Sequence, residues 1–364
     1  MKNLTNNRIN WIDGLKALSA FQLCIMHFLA AFFSQSYVGM NTSIPKSDAK
    51  QAILNNLPIS LFTNSSFGLY IFFALIAFIP AYKYFSSKDL TFIKKQAQNR
   101  YFRLVIPVAL TTFIFYIFWK FKMGINIETN LIIKSSWIVS QTQLSPDFFE
   151  ALYSAFIKTF IFGDKTFCII LWCINIIFIG SYLSYAIILL LKHFPKRFII
   201  YTIFAIALSF FPYYMSFLTG IIAADIYTHK KLKNLTFLII IGLIIGLIPR
   251  PLIPFGIDRA ISYALGSFLV IIGCCSSKKI QTFLSKTFFI NWGKLSFSLM
   301  LSHLLVIFGL SFRIFFFLYW LNIPFNINIL LTFILSIPIA ATFSKIFQKL
   351  TDATFFYLKK LFNN

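Results

Sequence analysis

Two histidines stand inside long apolar runs of this sequence, and the polar residues around the first suggest chemistry. His27 lies eleven residues beyond Lys16 and fourteen beyond Asp13. At 100° per residue, eleven positions make three helical turns plus about 20°, so Lys16 and His27 share a face roughly 16 Å apart along the axis. Asp13 falls about 40° to the other side. A polar group inside such a run is costly and is a functional candidate by default. One stripe would then present Asp13 and Lys16 at a basic lip and an imidazole deep in the apolar region. An imidazole can take a proton from an alcohol and return one to a thiol leaving group. A charged reagent would dock at the lip while its reactive end reached inward.

Other residues could support this centre. His303 lies nine positions past Lys294, about 13 Å along its helix and at a depth similar to that of His27. Ser296 is seven residues back on the same face. A structural role is the better reading of His303, although two histidines at matching depth could line one cavity. Arg100 and Arg103 are one turn apart, with Lys94 and Lys95 just before them. Such a fork grips phosphate oxygens in a way a lone lysine cannot. The plainer reading is that a basic loop at this position reflects membrane topology.

The elements that must position these residues are membrane helices. Of 364 residues, 59% are hydrophobic and 12% charged, against roughly 45–50% and about 25% in a soluble domain. The apolar residues come in runs of about 18 or more, the length a helix needs to cross a bilayer. The fold class is therefore all-α, a polytopic helix bundle. Ten spans are expected, near 15–35, 61–82, 104–121, 168–191, 198–211, 212–227, 235–249, 259–275, 295–313 and 326–346. The fifth and sixth could be a re-entrant pair split at Pro212, and residues 314–321 are expected in the outer interface.

A net charge of +23 invites a nucleic-acid reading, but the placement of the charges favours a membrane orientation rule. With both termini in the cytoplasm, the outer segments hold only ten of the 33 basic residues: Lys46, Lys50, Lys120, Lys122, Lys134, Lys158, Lys165, Arg250, Arg259 and Arg313. No nucleic-acid partner is expected; membrane lipids are. The first apolar run follows a basic leader but is longer than a signal-peptide core and lacks a small-residue cleavage site, so it should stay in the mature chain. The five cysteines, Cys24, Cys168, Cys173, Cys274 and Cys275, lack ligand spacing and read as packing residues, so no metal is expected.

No internal repeat or low-complexity linker divides the chain, and 1–364 reads as one membrane domain. It stops about 18 residues after the last expected span, which leaves no room for an attached soluble domain. The longest extramembrane piece is 123–167, with Glu128, Asp147, Glu150 and Asp164. Its amphipathic stretch 148–162 is expected as a helix over the outer mouth of the bundle, where an outward-facing acceptor could be selected.

Taken in order, several segments resemble the acyltransferase family 3 of integral membrane O-acyltransferases. WIDGLKALSAFQLCIMHF (11–28) looks like its first-span signature, with Lys16 where arginine is usual and ten residues between it and His27. GLYIFFALIAF (68–78) is similar to its second span, with Ile76 and Ala77 where Ser-Gly is common. RYFRLVIP (100–107) matches its Arg-x-x-Arg element, MSFLTGIIAAD (215–225) its small-residue sixth span, and GKLSFSLMLSHLLV (293–306) its penultimate span. TDATFF (351–356) has Asp352 in place of a usual Glu. Each is weak alone; six in order are strong.

The resemblance implies ten spans and an acyl-coenzyme A donor taken from the cytoplasm, with acetyl-CoA as co-substrate and no bound cofactor. It implies O-acetylation of a glycan or lipid-linked sugar such as lipopolysaccharide O-antigen or capsule, in the bacterial inner membrane. It gives His27 the catalytic role, Lys16 a partner or donor-binding role and Arg100 and Arg103 the donor site. Asp13 joins them at the lip; His303, Ser296 and Asp352 are supporting candidates. A homo-oligomer is left open. The rival readings are a secondary transporter, which ten spans with a broken pair would also fit, and a passive scaffold for envelope assembly.

Overall fold

The computed structural model describes residues 9–32, 64–124, 133, 137, 145–194, 196–247 and 259–362, and among them every regular element is a helix. We number them α1 Asn10–Phe32, α2 Ser65–Ser87, α3 Thr91–Lys120, α4 148–162, α5 Ile169–His193, α6 Arg197–Ser209, α7 Pro212–His229, α8 Phe237–Leu247, α9 Arg259–Ser276, α10 Lys278–Leu284, α11 Thr287–Trp320 and α12 Phe325–Phe362. Each of the ten expected spans coincides with a helix. Seven of the described helices, α1, α2, α3, α5, α9, α11 and α12, are long and apolar enough to cross a bilayer. The chain is thus an all-α, multi-pass membrane protein. Helix α11 runs unbroken through 314–320 to Trp320, because 287–320 offers no proline or glycine pair that would stop a helix.

The chain divides into two compact units. The first comprises residues 1–22, 64–95 and 180–296, and close backbone contact organises it. A Cβ added at Gly220 of α7 would lie 2.1 Å from the carbonyl oxygen of Ala74 in α2. At Gly293 of α11 it would lie 2.0 Å from the carbonyl oxygen of Asp13 in α1. The glycines of the family-like segments therefore let helix backbones touch, the packing that apolar surroundings favour.

Residues 198–227 belong to the same unit. Pro212 sits in the first turn of α7, where its missing N–H costs nothing. The start of α6 meets the far end of α7: Arg197 and Tyr201 both bind Asp225, the hydroxyl at 2.7 Å, and His229 Nδ1 lies 2.8 Å from the same carboxylate. The two helices are an antiparallel hairpin closed by this ionic clamp.

The second unit comprises 23–63, 96–179 and 297–364. Its core is aromatic: Phe32 stacks on Phe28 and Phe312 at 4.5 Å each, and Phe28 meets Phe333 edge-on. Helices α11 and α12 are laced antiparallel by buried polar groups. Ser302 bonds Ser344 at 3.1 Å, Ser311 bonds Ser336 at 2.7 Å, and Asn328 Nδ2 donates to the carbonyl of Phe315. Hydroxyls that lack water find each other across the helix interface, each pair contributing about 0.6 kcal/mol or somewhat more.

Helix α4 departs from expectation. It does not lie across the end of α3 but runs antiparallel along its side, from Phe148 against Tyr116 to Phe160 against Tyr101. The Tyr101 hydroxyl donates to the Phe156 carbonyl at 2.8 Å, and Asn175 of α5 donates to the carbonyls of Phe160 and Ile161. Charges of this segment pair within it. Lys158 pairs with Glu150 and Asp164, and Asp164 also accepts from Ser154 and Thr166. The exposed face is apolar, with Phe149, Ile161 and Phe162 all more than half exposed, which suits lipid rather than water.

Gly220→Ala should destabilise the protein by about 1–3 kcal/mol, the usual cost of overpacking, read as earlier melting in detergent. Gly309→Ala is the control, because its added methyl would meet its nearest neighbour, Phe118, at an ordinary 3.4 Å.

Candidate active site

Helix α1 is unbroken from Asn10 to Phe32, so Asp13, Lys16 and His27 keep helical spacing. Asp13 is buried and pairs with Lys16 at 3.3 Å within the first unit. Its place is set by the contact of Gly293 with the Asp13 backbone. His27 belongs to the second unit and is 7% exposed, in a helix whose neighbours Met26 and Phe28 are also buried.

The partner of His27 is the other histidine of the apolar runs. His27 Nδ1 lies 2.9 Å from His303 Nε2, and the two rings stack with centroids 5.0 Å apart. His303 is 1% exposed and its Nδ1 lies 3.0 Å from the carbonyl oxygen of Leu299, one turn back on α11. A π-helical turn, Val306–Ser311, begins three residues later. Helices commonly carry such turns near functional residues. His27 also stacks on Trp137 at 5.7 Å, which itself packs on Phe308 of the π turn.

The remaining candidates divide. Arg103 of α3 holds its guanidinium 5.2 Å from the ring centroid of Phe355 on α12. Asp352, three residues before Phe355 on that helix, is exposed and makes no ion pair among the described residues. Arg100 sits one turn before Arg103 on α3. Ser296 is buried and donates to the carbonyl of Gly293 in its own helix at 2.8 Å. Its hydroxyl is thus committed to the helix backbone. Among the described residues no group of three His, Cys, Asp or Glu could hold a metal ion.

Sequence reasoning missed Trp137. It is an isolated aromatic in a connector, and no periodicity tied it to the histidine. The direct bond between the two imidazoles was also unread, although their matching depth was visible.

A family profile described as an acyltransferase domain matches residues 9–345, nearly the whole chain. The chain belongs to acyltransferase family 3. It is a membrane acyltransferase, and the buried imidazole pair lies within the matched region. Comparisons with curated proteins and with solved structures find no match.

The site thus holds two bonded imidazoles with an aromatic ring beside them, and on α3 the Arg103 guanidinium lies over the ring of Phe355. Stacked aromatic pairs contribute about 0.5–1.5 kcal/mol beyond their area, and about 1.4 kcal/mol is tenfold in rate. Trp137→Ala should therefore lower kcat for acyl transfer by up to about tenfold. Trp137→Phe, which keeps a ring against His27, should retain most of the rate.

Proposed function

We propose that this acyltransferase moves an acetyl group from cytoplasmic acetyl-CoA to a hydroxyl of a cell-envelope glycan, such as lipopolysaccharide O-antigen or capsule, in the bacterial inner membrane. The observation that carries this reading is His27, a buried imidazole held by a second imidazole, in a chain of this family. The co-substrate supplies the acyl group, and the scheme requires no bound cofactor.

In this reading Arg100 and Arg103 hold the phosphates of the donor. A guanidinium fork suits phosphate oxygens, and the ring of Phe355 fixes the Arg103 plane. Lys16, kept in place by Asp13, adds a point charge at the inner lip. The thioester then lies toward His27. The acceptor hydroxyl gives its proton to His27 as its oxygen attacks the thioester carbon. The C–S bond breaks, and the resulting imidazolium protonates the departing thiolate. The products are the O-acetyl ester and free CoA–SH. His303 supports His27, and Asp352, exposed on α12, stands with Ser296 as a supporting candidate.

The acceptor class rests on the family's chemistry, and the Trp137 ring beside the imidazole is in keeping with it. Aromatic rings commonly form one wall of a pocket for small polar ligands.

Cells lacking the gene should show a surface polysaccharide lighter by one acetyl group per repeat unit by mass spectrometry. The wild-type gene should restore that mass, and His27→Ala should not. An unchanged glycan with and without the gene would remove the acceptor assignment; full restoration by His27→Ala would remove the catalytic one. Arg103→Ala should raise KM for acetyl-CoA about ten- to a hundredfold, the worth of one charge-assisted hydrogen bond of about 1.5–3 kcal/mol. Arg103→Lys should recover only part of that, since an ammonium cannot grip two oxygens or stack on Phe355 in the same way.

A further inference from the structure

The chain of acceptors around the imidazole pair fixes where every proton must sit. The carbonyl oxygen of Leu299 is an acceptor only, and His303 Nδ1 lies 3.0 Å from it. That nitrogen therefore carries a hydrogen. A neutral His303 then has a bare Nε2, which faces His27 Nδ1 at 2.9 Å and must accept from it. His27 is thereby held with its hydrogen on Nδ1 and its lone pair on Nε2, the nitrogen outside the pair. The opposite arrangement needs a doubly protonated His303. That would bury a cation in a site where, among the described residues, no acidic group joins the two rings to form a cluster.

We infer that His303 is a positioning residue whose Nε2 selects the His27 tautomer that exposes Nε2 as the base, with the Leu299 carbonyl as the fixed end of the relay. Which nitrogen of a histidine can act is set by the bond the other makes. This inference rests on the proposed role of His27. It adds two things to that role. Before reaction, His303 keeps the proton-accepting nitrogen bare. During reaction, when His27 Nε2 takes the hydroxyl proton, the imidazolium remains bonded through Nδ1–H to His303 Nε2, so the new charge is spread over two rings. The proton then leaves from Nε2 to the thiolate, and both rings return to their starting tautomers. No proton is gained or lost by the pair over the cycle.

The geometry also explains why the helix around His303 is built as it is. Leu299 and Met300 are buried, and Ser302 beside His303 is pinned to Ser344 of α12. The imidazole is thus held from its own backbone and from a neighbouring helix, which keeps Nε2 aimed at His27.

The chain has four histidines, so nitrogen-15 NMR of histidine-labelled wild-type protein in bilayers can read the protonation of each ring nitrogen. His27→Ala identifies the signals of residue 27 by their disappearance. The expected result is a His27 with Nδ1 protonated and Nε2 bare, coupled to a His303 of the same tautomer. A His27 carrying its hydrogen on Nε2 would overturn the inference, and this measurement does not depend on any variant at 303 folding. In kinetics, His303→Leu should lower kcat about a hundredfold, the lower end of what a correctly placed base contributes, with KM for acetyl-CoA unchanged. His303→Gln, whose amide oxygen can accept from His27 Nδ1, should recover much of that loss. If His27→Ala is inactive while His303→Leu keeps full kcat, the tautomer relay fails and the base assignment stands. If His27→Ala is itself active, the underlying reading fails.

Discussion

A polar ring nitrogen buried among apolar helices must find its partner within the protein, and in this chain that constraint joins residues 27 and 303. The bond requires the second half of α1 and the middle of α11 to meet at one depth with both rings turned inward. The stacked phenylalanines Phe28, Phe32 and Phe312 supply the contact that brings those helices together. The hydroxyl pairs between α11 and α12 fix the rotation of α11 about its axis. Much of the second unit can thus be understood as the frame that keeps one imidazole oriented.

The charged residues follow a different logic. Asp13 pairs with Lys16, Asp225 gathers Arg197, Tyr201 and His229, and Lys158 is held between Glu150 and Asp164. Each cluster joins neighbouring stretches of one unit. Arg103 is different in kind, since among the described residues it meets the ring of Phe355 rather than a carboxylate. A guanidinium stacked on an aromatic ring keeps its charge available for an anion, which is why it is suited to a phosphate-bearing donor.

The helical framework was legible because apolar runs of spanning length leave lipid as the only solvent, and α1, α2 and α5 follow their expected bounds within a few residues. His27 was legible for the same reason, as a polar group where polarity is expensive. The partnership with His303 was not, because it depends on the rotation of two helices 276 residues apart in sequence. Periodicity within one helix carries no information about that rotation. Ser296 lies by its seven-residue spacing on the face of His303, and the sequence did not show that its hydroxyl donates to the Gly293 carbonyl. Helix α4 was found but misplaced, since charges that neutralise one another inside a segment look in sequence like charges offered to water. Trp137 left no pattern at all.

The proposed acyl transfer turns on the nitrogen base at position 27. The most direct test is the release of free CoA from labelled acetyl-CoA by purified protein in lipid vesicles with acceptor present, comparing the wild type with His27→Gln. Gln keeps the polarity and much of the volume of the ring but cannot accept a proton at neutral pH. The account predicts steady release by the wild type and none above background by His27→Gln, with both proteins binding acetyl-CoA alike. Equal release by the two would contradict it.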